Sequence, residues 1–182
     1  MLNALLLITL QFGFFTLLQA QDNTARIAVL SVPKVEIVVN SLDEITNGVT
    51  LVNATVLGVT IADLGNVAAP GPLTGFEITF RTANGIATDI EGFGGNVMDL
   101  NTIALTPTNR TGFGASTVFL GPLELSQTSQ TLMTSTIIPC DWTTHQVNVQ
   151  YEFGTTNCTG KLFDKISDYY TVEIEYTLEP NF

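Results

Sequence analysis

An all-β antiparallel sandwich of about eight or nine short strands is the fold class the sequence predicts, on three observations. Apolar and polar residues alternate with a period of two in several runs. Turn-forming pairs built on Gly, Pro and Asn recur at short intervals between those runs. Beyond the first 20 residues, no window carries a sustained apolar stripe at the helical spacing of about 3.6 residues, so crossover helices and a parallel sheet are excluded.

Residues 1–20 stand apart. They hold no charge and are dominated by Leu, Phe and Ile, and the apolar stretch 5–18 falls short of the roughly 20 residues a membrane span needs. This predicts an export signal peptide cleaved after Ala20, and a single domain over 21–182. No second apolar run approaches membrane length and the C-terminus has no hydrophobic lipid-anchor tail, so the expected mature chain is secreted, extracellular and without a transmembrane segment.

The strands follow in order. Val35, Ile37 and Val39 alternate with Lys34, Glu36 and Val38. Val49 to Ile61 and residues 76–82, 102–105, 116–120 and 131–138 are rich in Thr, Val, Ile and Phe. They are bounded by Asn47-Gly48, Pro70-Gly71-Pro72, Asn84-Gly85, Gly94-Gly95-Asn96 and Gly121-Pro122. Val147, Val149, Tyr151 and Phe153 alternate with Gln146, Asn148, Gln150 and Glu152. Val172, Ile174, Tyr176 and Leu178 alternate with Thr171, Glu173, Glu175 and Thr177. In each pattern one face is buried and one is wet, and Glu173, Glu175 and Glu179 read as a solvated sheet face. The best helical candidate is 160–170, with Leu162, Phe163, Ile166 and Tyr169.

Composition narrows the chemistry. Seventeen Asp plus Glu against 6 Lys plus Arg give a net charge of −11, which excludes nucleic acid as a partner. The single His removes zinc sites built on two or three imidazoles and leaves only His145 for any triad, although that residue reads as an exposed loop histidine. No cofactor motif is present. Cys140 and Cys158 flank a strand-like run, and in an exported chain they predict a disulfide. Sequons at Asn53, Asn109 and Asn157 are the candidate glycosylation sites.

Two segments resemble a known module. The stretch 51–80, LVNATVLGVTIADLGNVAAPGPLTGFEITF, with a turn at Asp63-Leu64-Gly65-Asn66, resembles the opening strands of the CARDB-type, cell-adhesion-related immunoglobulin-like sandwich. The stretch 120–153, with a Thr-rich strand, a short loop and a Val-x-Val strand, is similar to that module's later half. The segment 81–119 is longer and richer in Gly than the family's middle connection, and the chain continues beyond 153. The resemblance implies an immunoglobulin-like fold and a non-catalytic module for adhesion, spacing or presentation. It transfers no functional residue.

Several local patterns carry candidate sites. The Gly-rich segment 84–99 gathers Asp89, Glu91 and Asp99 as an extracellular calcium loop would, yet it lacks the acidic spacing of the helix-loop-helix site, and turns explain its glycines equally. Asp89 with Glu91, or Asp141 with Glu152, can be nominated as the paired carboxylates of a glycosidase, a separation only structure can measure. Trp142 reads as core packing beside the disulfide, with stacking on a sugar as the alternative. Phe93 and Phe113, each flanked by glycines, read as plugs over the core or as rings presented to a partner. Phe93, Phe113 and Trp142 are therefore the candidate partner contacts. The function expected is a secreted, glycosylated, non-enzymatic protein of extracellular binding, adhesion or matrix assembly. Its partner is an extracellular protein or carbohydrate, or a second copy through edge strands. The alternative is a carrier holding a lipid or other small apolar ligand between its sheets.

Overall fold

The computed structural model describes residues 25–31, 35–39, 41–61, 73–83, 89–163, 165–166 and 168–182. The leader and the turns at 63–66, 70–72 and Asn84-Gly85 lie outside the described residues. Within them the chain is mostly strand. β1 (Ala25–Val29) is followed by a short helix, α1 (Leu42–Asn47), then β2 (Val49–Ile61) and β3 (Gly75–Thr82). A small hairpin, β4 (Asp89–Glu91) and β5 (Val97–Asp99), precedes β6 (Ile103–Thr111), β7 (Thr117–Phe119) and β8 (Leu123–Glu124). β9 (Gln130–Ser135), β10 (Gln146–Phe153) and β11 (Ile174–Asn181) complete it.

The strands form a five-stranded sheet in the order β1-β2-β10-β6-β8, a four-stranded sheet in the order β11-β3-β9-β7, and the β4-β5 pair, with every pairing antiparallel. Alternation produces a β-sandwich-like core. Leu57, Val59 and Ile61 of β2, Leu105 of β6 and Val147 and Val149 of β10 are buried with Phe76, Ile78 and Phe80 of β3 and Leu132 and Met133 of β9. Burying each such side chain contributes roughly 1.5–3 kcal/mol. One polar chain crosses this interior: the Tyr151 hydroxyl lies 2.9 Å from Thr55 Oγ1 and 2.7 Å from the Tyr176 hydroxyl of the other sheet. Burial there pushes the Tyr176 phenol well above its ordinary range.

From β2 onward, successive strands of the two large sheets alternate between them, so β2-β10-β6-β8 opposes β3-β9-β7. An immunoglobulin constant domain orders its strands ABED and CFG and keeps several consecutive strands in one sheet. The order seen here is that of a jelly roll with seven of its eight strands, β1 and β11 being added outside β2 and β3.

Two local expectations are corrected. Residues 35–39 alternate as a strand would but form none. Val35 packs on the core and Val38 is exposed, and without a neighbouring strand the alternation has nothing to pair with. The described part of 160–170 is irregular rather than helical, because Tyr170 bridges to Gly92 of the small hairpin. The helix lies instead at α1, where Ser41 Oγ accepts from Glu44 N and Glu44 returns a bond to Ser41 N, a reciprocal cap.

β2 carries one irregularity with later consequences. Its register to β10 passes from Thr55 opposite Val149 to Leu51 opposite Tyr151, so Val52, Asn53 and Ala54 bulge opposite Gln150 alone. Asn53 sits at the bulge with φ of 54°, a left-handed conformation that Asn tolerates better than most residues.

Candidate functional site

The β4-β5 hairpin has two faces. Ile90 and Met98 oppose each other across it, are buried, and join the sandwich core. Beyond them the chain turns through Gly92-Phe93-Gly94-Gly95-Asn96, and Phe93 projects with 94% of its surface exposed. The turn is held from behind. Gly94 N donates to both Asp168 oxygens, at 3.0 and 2.9 Å, and Asn96 Nδ2 donates to Oδ2 at 2.9 Å. Tyr169 N donates to Oδ1 at 2.7 Å, and Phe93 N donates to the Tyr169 carbonyl at 3.1 Å.

Glycine is required at position 92 by this grip, since a Cβ there would collide with Asp168 Oδ2 where it holds the turn. The Asn96 amide, followed by the Gly94 and Tyr169 backbone N–H groups, holds the Asp168 carboxyl below its usual range. The clamp therefore works as a carboxylate at neutral pH. Val97, Phe163, Ile166 and Tyr169, on the hairpin and the loop that backs it, are also largely exposed. The Phe93 ring is thus carried on a backbone that is fixed before any partner arrives.

The two glycine-flanked phenylalanines thus separate. Phe113 is buried, with its ring centroid 6.0 Å from Phe76, 6.5 Å from Phe119 and 5.4 Å from His145, and the Asn109 amide donates to its carbonyl. It plugs one end of the sandwich and is no partner contact. His145, expected free in a loop, is half-buried against that plug. Trp142 is corrected from the core to the surface: it is half-exposed on a turn capped by Asp141, whose carboxylate accepts from Thr143 N at 2.8 Å and Thr143 Oγ1 at 2.7 Å. Those bonds hold the Asp141 carboxyl below its usual range.

The expected disulfide is absent. Cys140 is exposed and free, and Cys158 is buried and free. Pro139 binds Ile61 at one end of β2, while Cys158 Sγ donates to the carbonyl of Glu152, which pairs with Thr50 at the other end. Most of β10 separates the two cysteines, about 20 Å of extended chain, whereas a bridge needs Cα atoms within about 7 Å. In native protein a thiol reagent is expected to modify Cys140 and to reach Cys158 only on unfolding, burial having raised the Cys158 thiol's pKa. Rapid labelling of both cysteines before unfolding, or a monomer mass two hydrogens short, would contradict this arrangement.

Of the two nominated carboxylate pairs, Asp89 and Glu91 stand two residues apart on β4. Asp141 and Glu152 lie at opposite ends of β10, beyond the roughly 5–10 Å of glycosidase pairs. Asp89 and Asp99 face each other across the hairpin, but Asp99 binds Lys165 Nζ at 2.8 Å, so a side-chain cation neutralises it. No group of three or more potential metal ligands occurs among the described residues. Glu152 is buried and accepts from Thr106, Gln150, Thr155 and Asn157, at 2.7–3.2 Å. Burial raises its carboxyl, but those four bonds outweigh burial and leave it below the ordinary range.

Asp168, Asn96 and Tyr169 were missed by sequence reasoning, since Asp168 lies 74 residues from the glycine it grips. Among the described residues no helix is long and apolar enough to cross a membrane. Compared with known proteins, the chain matches no family model and no curated protein.

Proposed function

We propose that the protein is a secreted, non-catalytic sandwich that acts in extracellular binding, adhesion or matrix assembly, and that it engages its partner through the Phe93 hairpin. The observation that carries this reading is the setting of the ring, nearly fully exposed on a turn whose backbone is held by the hydrogen bonds that Asp168 accepts. A large apolar side chain that contributes little to the fold and is presented on a backbone fixed in advance has the properties of a binding hot spot. The charge-free leader at 1–20 supports the extracellular setting. The alternation of strands between sheets supports a jelly roll over an immunoglobulin order for this module. Phe76, Phe80, Leu57, Ile78, Leu105 and Leu132 fill the space between the sheets, which weighs against the carrier reading.

The test is adsorption of purified mature protein to extracellular matrix and cell surfaces of its own source. Phe93→Ala is expected to weaken saturable binding by about 30-fold or more, the equivalent of roughly 2 kcal/mol, and Tyr169→Ala to weaken it less. Equal binding by wild type and Phe93→Ala, or none by either, overturns the reading.

A further inference from the structure

The three sequons are alike in sequence and unlike in the fold. Asn109 Nδ2 donates to the Phe113 carbonyl at the sandwich plug. Asn157 Nδ2 donates to buried Glu152 Oε2 at 2.7 Å, and its neighbour Cys158 is buried. A glycan on either nitrogen would enlarge an atom that the fold already uses. All three asparagines are exposed, but Asn53 differs in that it stands at the crest of the β2 bulge, its left-handed backbone lifts it out of the ladder, and its side chain makes no hydrogen bond among the described residues.

The position of Asn53 matters for a second reason. β1 pairs only with residues 57–61 of β2, so the first half of β2 has no strand on that side among the described residues. Residues 48–61 contain no charged side chain, and Val52 is 67% exposed. Such an edge is a template for pairing with another chain. The other edges are blunted by recognisable devices. β7 and β8 have three and two residues, β11 carries Glu175, Glu179 and Pro180, and β1 is short and carries Arg26. The open half of β2 has only its bulge.

We infer that Asn53 is the acceptor of an N-linked oligosaccharide, and that this glycan shields the open half of the β2 edge against pairing with a second copy of the chain. The inference rests on the secreted reading, because only an exported chain meets the glycosylation machinery. A bulky hydrated sugar at the bulge supplies the steric block that charged residues supply elsewhere, and the protein keeps an edge free of Lys or Glu.

Peptide mapping by mass spectrometry of the protein secreted by its native host tests the site, and sedimentation tests the shield. Asn53 is expected to be occupied and Asn109 and Asn157 bare. Asn53→Gly removes the sequon while accepting the positive φ, so it should fold as wild type yet shift from monomer to concentration-dependent oligomers. Adding Val52→Lys should restore the monomer by returning a charge to the edge. Glycan on Asn109 or Asn157 with Asn53 bare, or cleavage at Ala20 with no glycan, overturns the inference and leaves the secreted reading standing. Retention of the leader with no glycan overturns both. An Asn53→Gly protein that stays monomeric at all concentrations removes the shielding role.

Discussion

Phe113→Ala is expected to cost about 3–5 kcal/mol of unfolding free energy, while Phe93→Ala changes stability by less than about 0.5 kcal/mol. The contrast is informative because both rings stand in a Gly-Phe-Gly context. Phe113 is enclosed by Phe76, Phe119 and His145, and its removal opens a cavity at the end of the sandwich that the flanking strands β3 and β7 cannot collapse to fill. Phe93 is surrounded mainly by water, so truncation removes little packing, and the grip of Asp168 uses backbone N–H groups and Asn96 rather than the ring. Chemical denaturation of the two variants against wild type measures the difference. Comparable losses would mean that the Phe93 ring packs on the hairpin in solution, and the binding surface proposed for it would fall with that result.

The same two residues show where sequence was informative and where it was not. β10 is legible because apolar and polar residues alternate along it, and β2 because a run rich in Val, Thr and Ile follows the Asn47-Gly48 turn, although five successive residues of β2 are buried. Alternation at 35–39 is equally clear but has no partner strand, and pairing is a property of the whole sheet. α1 went unread because its exposed face gives no apolar stripe, and its only signal is the Ser41-x-x-Glu44 spacing of the cap. The Gly-rich stretch read as loop because Ile90 and Met98 are single inward residues among turn formers, too few to define a period.

The candidate site was half legible. The glycines announced that Phe93 and Phe113 were special without saying which was exposed, since that depends on what packs above each ring. The clamp was invisible, because Asp168 reaches the hairpin only through a loop with no periodic signal of its own. The cysteines misled for a related reason. A hairpin would have brought their ends together, but the chain leaves β9 in one sheet, enters β10 in the other, and runs the length of the sandwich before Cys158.

Glu152→Ala carries the second large effect, an expected loss of about 2–4 kcal/mol at neutral pH. The carboxylate is the common acceptor for Thr106, Gln150, Thr155 and Asn157, and it fastens the loop after β10 to β6. Its removal leaves the buried Thr155 hydroxyl and the half-buried Thr106 and Gln150 donors without this partner, which is more costly than the net value of the bonds themselves. The sign with pH follows from the depressed carboxyl. Above its unfolded value of about 4.5 the group is ionised in both states and its full contribution is present. As pH falls below that value toward the lower folded one, the unfolded chain takes up the proton first and the contribution is lost. Asp168 behaves with the same sign below about 3.8, so the hairpin clamp loosens in the same acid range. The stability gap between wild type and Glu152→Ala should therefore narrow from pH 7 to pH 3. Glu152→Gln, which keeps the shape and one acceptor, should fall between them at neutral pH and show little of the acid dependence. A gap that stays constant across that range would mean that the four donors stabilise the protonated acid as well as the carboxylate, and that the loop is held by packing around Cys158 and Leu162 instead.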